Sequence, residues 1–67
     1  MSYETENKVK SIKFMVGDEL HQYSVGNNNI TKITENKPSG EGDKWHYDVY
    51  INDKLDSREF NVDSVDY

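Results

Sequence analysis

Between Lys44 and Asp53 the chain reads KWHYDVYIND. Trp45, Tyr47, Val49 and Ile51 alternate strictly with His46, Asp48, Tyr50 and Asn52. A helix would scatter the first four around its circumference, whereas a strand places them all on one side. Aromatic and β-branched side chains also suit a pleated, half-buried surface. The stretch is therefore predicted to be a strand with one flank in a core and the other on display. Burying a large ring contributes on the order of 2–3 kcal/mol, so Trp45→Ala is expected to unfold a small domain.

The same period continues elsewhere. Ile12, Phe14 and Val16 alternate within VKSIKFMV, and Tyr23 and Val25 share a parity within LHQYSV. Gly17-Asp18-Glu19 joins these two as a hairpin. Gly26-Asn27-Asn28-Asn29 is the strongest turn signal, because Gly and Asn adopt positive φ at least steric cost. Ile30 to Glu35 reads as a weaker strand, an edge or a bulged one, since Ile30 and Ile33 differ in parity. KPSGEGD, from Lys37 to Asp43, is the longest loop. Asn52-Asp53-Lys54 turns the chain into a last run in which Phe60 and Val62 oppose Val65 and Tyr67 in parity. That change requires a bulge or a short 3₁₀ turn near Asp63-Ser64.

These segments predict an all-β domain of five to six antiparallel strands over residues 8–67, with no substantial helix. The polar residues 1–7 are expected to form a flexible N-terminal arm. Sequential strands usually pair with their neighbours. A curled sheet or SH3-like barrel would bury Ile12, Phe14, Tyr23, Val25, Trp45, Tyr47, Val49, Ile51, Phe60 and Val62. The late turn and last short strand, FNVDSVDY, resemble the arrangement in SH3-like barrels. That resemblance rests on strand count and one turn, and carries no binding residue with it.

Size limits function. The chain has 67 residues and no Cys, so it holds one domain with no disulfide to brace it. A domain this small has little room for a pocket of several hundred Å³. His21 and His46 lie on separate strands, without the paired close spacing of metal ligands. Asp53, Asp56, Asp63 and Asp66 lack the alternate-oxygen pattern of a calcium loop. Gly40-Glu41-Gly42-Asp43 puts acids where a phosphate would need donors. No cofactor, metal or catalytic residue is expected, and the chain is read as a non-enzyme. No apolar run reaches the roughly 20 residues of a membrane span, and MSYETENKVK lacks the apolar stretch of a signal peptide. A cytoplasmic location is expected, and the Asn- and Lys-rich composition points to an AT-rich bacterial or phage genome, or a mobile element.

The net charge is −5. Through Lys37 the charges balance; from Pro38 onward Lys44, Lys54 and Arg58 face eight acids, which hold the whole excess. Lys8, Lys10 and Lys13 are too few to offset this, so direct nucleic-acid binding is not expected. A protein partner, or self-association, is. On the predicted outward flank, His46, Asp48 and Tyr50 stand about 7 Å apart, and Tyr adds contact area at little entropic cost. These three are the expected contact face, with Asp53, Asp56 and Glu59 steering approach. The plainer alternative is a solvated strand face. A second functional reading is an inhibitor whose acidic C-terminal half imitates a nucleic-acid backbone and blocks a DNA- or RNA-handling protein; against it stands the ordinary role of acids in solubility.

Overall fold

The computed structural model describes residues 2–67. Among these residues there are seven strands: β1 (Ser2–Lys8), β2 (Ser11–Val16), β3 (Glu19–Ser24), β4 (Ile30–Pro38), β5 (His46–Ile51), β6 (Lys54–Glu59) and β7 (Val62–Asp66). No helix occurs among them, and none is therefore long and apolar enough to cross a membrane. The all-β class is the one expected, but the strand count is higher. All pairings are antiparallel, in a four-stranded sheet ordered β1-β4-β5-β6 and a three-stranded sheet ordered β3-β2-β7. Each sheet keeps two edge strands. The chain is thus a pair of curled sheets and does not close as an SH3-like barrel.

The turns follow from their residues. Val16 pairs with Glu19 across Gly17-Asp18, and Gly17 has φ 61°. That is the first loop position, where a II′ hairpin requires glycine. Ile51 pairs with Lys54 across Asn52 and Asp53, both at positive φ (52° and 65°), which is the I′ pattern. Asn28 and Asn29 repeat it at φ 52° and 64°, closed by a hydrogen bond from the Ile30 amide to the Asn27 carbonyl (2.9 Å).

Two bulges stand where parity breaks in the sequence. The β2–β7 register shifts between Ser64 and Val62, leaving Asp63 as the extra residue, and the β4–β5 register shifts between Ile30 and Lys32. The second bulge puts both Ile30 and Ile33 in the core. It also corrects the expectation of a weak strand: β4 is nine residues long and lies between β1 and β5.

The core comprises Val9, Ile12, Phe14, Ile30, Ile33, Tyr47 and Val49, with Tyr23, Ile51, Val62 and Val65 packed against it. Three expected core members are instead exposed: Val25 (41%), Trp45 (48%) and Phe60 (46%). Trp45 precedes β5, whose ladder with β4 reaches only to the pair Asn36–His46. Beyond the last pair, alternation no longer dictates which way a side chain points. Structure also extends into the N-terminal segment expected as an arm. Residues 2–8 form β1, which pairs with β4 from Ser2–Pro38 to Glu4–Asn36 and again at Lys8–Thr34; Met1 lies outside the described residues.

Candidate functional site

β5 lies inside its sheet, with β4 on one side and β6 on the other. Its outward side chains are consequently hemmed in by neighbours from both strands. Asp48 stands opposite Thr34 on β4 and Arg58 on β6. Arg58 donates from Nε to Asp48 Oδ1 (2.8 Å) and from Nη2 to Oδ2 (3.3 Å). This two-pronged geometry suits the planar guanidinium. The hydrogen bonds and charge of Asp48 raise the Arg58 pKa above its ordinary value, so the guanidinium keeps its charge.

His46 stands opposite Asn36. Its Nδ1 lies 3.2 Å from the Lys44 carbonyl, and Nε2 lies 3.9 Å from Asp48 Oδ1. An Nδ1–H tautomer donates to that carbonyl. The Phe60 ring leans over the imidazole, 5.5 Å between centroids at 47°. Next along the face, the Lys32 ammonium sits 4.6 Å above the Tyr50 ring, within cation–π range. Tyr50 in turn pairs with Leu55.

The outer face therefore has two tiers. His46 and Asp48 (each 6% exposed) form a floor with Thr34 and Asn36. Arg58, Phe60, Leu55, Lys32 and the half-buried Tyr50 lie over or beside that floor and meet solvent. The expected contact residues divide accordingly. His46 and Asp48 are not displayed, because the Arg58 and Phe60 side chains cover them. Tyr50 does reach the surface. Asp53, in the β5–β6 turn, and Asp56 are exposed, and Glu59 is half-buried opposite Tyr47. Sequence reasoning missed Arg58, Leu55 and Phe60. One signal was available: Arg58 is the only Arg in the chain, and Arg is the cation best matched to a buried carboxylate.

A second buried carboxylate lies on the opposite, inward side. Glu35 (3% exposed) stands opposite Tyr47 and one step from Ile33 of the same parity. Its Oε1 accepts from Thr5 Oγ1 (2.9 Å) and Asn7 Nδ2 (2.8 Å) of β1. Its Oε2 accepts from the hydroxyls of Tyr47 (2.9 Å) and Tyr67. Burial pushes the Glu35 pKa up, but the hydrogen bonds from Tyr67, Asn7, Thr5 and Tyr47 outweigh it and hold the carboxyl below its ordinary range. Tyr47 is raised by burial and by Glu35, and Tyr67 by its hydrogen bond to Glu35. Among the described residues, Glu35 has no cationic partner.

The domain also has more open space than its size suggested. A cleft of about 410 Å³ lies where the β1–β4 register shifts, between Asn7, Lys8 and Val9 on one side and Val25, Lys32 and Ile33 on the other. Neither histidine lines it. Among the described residues, no group of three or more His, Asp or Glu is placed to hold a metal ion. No known family model, curated protein or solved structure matches the chain.

Proposed function

We propose that the chain is a non-enzymatic module that binds a protein partner through the outer face of β4, β5 and β6. The observation that carries this reading is the two-tiered face. Arg58 is pinned by buried Asp48 and Phe60 rests on buried His46. Large contact residues held in place before a partner arrives lose less entropy on binding. Arg and Tyr are enriched among the residues that dominate interfaces, and here they share a sheet face with Phe60 and Leu55. Exposed acids at Asp53 and Asp56 supply a charged margin.

The test is capture from cells of the source organism with the immobilised protein, compared with Leu55→Asp and Phe60→Ser. Both positions are about half exposed (53% and 46%), so the variants should fold. A partner kept by the parent protein at high salt and lost by both variants supports the module. A partner bound equally by all three removes this face from consideration.

One observation favours the second reading, a mimic of nucleic acid. Among the described residues, Asp53, Asp56, Glu59, Asp63 and Asp66 form no ion pair, and all but half-buried Glu59 are exposed. A mimic would hold a basic partner that salt strips away steeply, since exposed charges are screened beyond about 8 Å at physiological ionic strength. It would also be indifferent to Leu55 and Phe60.

A further inference from the structure

We propose that Glu35 is a charge-dependent clasp: its carboxylate holds β1 on the sheet, and neutralising it frees β1 while the rest of the domain stays folded. The argument begins with what β1 lacks. Its sequence, SYETENK, puts no buried apolar side chain into the molecule; from Tyr3 to Lys8 only Thr5 is even half-buried. Among the described residues, the apolar core starts at Val9, after the strand ends. The β1–β4 ladder is also broken, shifting register between Glu4 and Lys8. An edge strand with an irregular ladder and no apolar anchor belongs to the low-stability end of a fold.

Across that break lies Glu35, taking hydrogen bonds from Thr5 and Asn7. The same carboxylate is fixed from behind by Tyr47, a core residue of β5, and by Tyr67, just beyond β7. Four donors converge on two oxygens. A carboxylate can accept them all, whereas a neutral carboxyl or amide has less acceptor capacity and brings a donor of its own. Loss of the charge therefore sets the site against the side chains that hold β1. Those side chains can turn to water, because β1 is an edge strand.

Other charges do not account for this dependence. β1 brings Glu4, Glu6 and Lys8, all exposed; β4 contributes exposed Lys37; β6 contributes half-buried Glu59, opposite Tyr47; β7 ends in exposed Asp66. Among the described residues, none of these pairs with Glu35. The lowered pKa of Glu35 places the release on the acid side of the ordinary carboxylate range.

The test is Glu35→Gln, followed by amide hydrogen exchange at neutral pH. The β1 amides paired to β4 should exchange on the order of tenfold faster or more, the loss expected from one or two hydrogen bonds to a charged group. Amides of β2 and β5 should keep their protection. Asn7→Leu should reproduce the effect with Glu35 intact. In the parent protein, falling pH should shift the NMR signals of Tyr3 and Thr5 before those of Ile12 and Val49, and Glu35→Gln should abolish that early step. Unchanged β1 protection in Glu35→Gln would overturn the proposal. So would global unfolding of that variant, or a parent protein in which β1 and the core titrate as one.

Discussion

Glu35 and Asp48 are both buried carboxylates, at 3% and 6% exposure, on adjacent strands of one sheet. They are satisfied in opposite ways. Asp48 is met by a cation from the neighbouring strand, ten residues away in sequence and half exposed. Among the described residues, Glu35 is met by neutral donors alone, from β1, β5 and the residue after β7, up to 32 residues distant. The difference shows that a buried charge does not need an opposite charge. It needs enough correctly aimed donors. The local pair orders a surface, and the dispersed set ties separate parts of the chain together.

The comparison can be broken at several points. The largest effect is expected for Tyr47→Ala, which removes both a core ring and a donor to Glu35. Truncating a buried aromatic costs on the order of 3–5 kcal/mol, enough to abolish the cooperative melting transition of a small domain. Tyr47→Phe separates the two contributions. Losing the hydroxyl alone should cost about 1–2 kcal/mol in urea denaturation, and a larger share of that stability should vanish if Glu35 has already been replaced by Gln.

Arg58→Ala leaves Asp48 on the sheet without its cation. Because Arg58 is half solvated, the cost should be moderated to roughly 1–2 kcal/mol. Here salt distinguishes the two carboxylates. Raising ionic strength should weaken the Arg58 contribution, measured as the parent–variant difference, and leave the Tyr47→Phe difference unchanged. A Tyr47→Phe difference that also shrinks with salt would mean that Glu35 does have a cationic partner.

Acid provides a further contrast. The folded-state pKa of Glu35 lies below its ordinary value. Its stabilisation is therefore complete above the ordinary carboxylate range and is lost as pH falls through the depressed value. A pH series should show the parent protein losing stability relative to Glu35→Gln on acidification, with the two curves converging at low pH.

The smallest effect is expected at Trp45. At 48% exposure it lies outside the buried core cluster, and Trp45→Ala should change stability by less than about 1 kcal/mol. A melt lowered by tens of degrees would restore the inward Trp45 that alternation alone predicts.

Much of the fold was legible in the sequence. Alternation located β2, β3 and β5, the Gly-Asp and Asn-Asp turns marked both tight hairpins, and parity breaks marked the bulges at Asp63 and after Ile30. The candidate face was half legible: Tyr50 and the acidic margin reach solvent, while His46 and Asp48 do not. β1 was not legible, because SYETENK has no apolar period and is held by a partner strand and one distant carboxylate. The role of Glu35 was equally hidden, although its shared parity with Ile33 placed a charge on an inward face.

Taken alone, the order of residues decides what is local: which segments extend, where the backbone must enter positive φ, and which side of a strand each side chain faces. It does so because sterics and the two-residue pleat act within a few bonds. Burial is decided later. Whether Trp45 is covered, whether Asp48 meets Arg58, and whether Thr5 and Tyr67 reach the same carboxylate depend on which strands become neighbours, and that follows only from the packing of the whole chain.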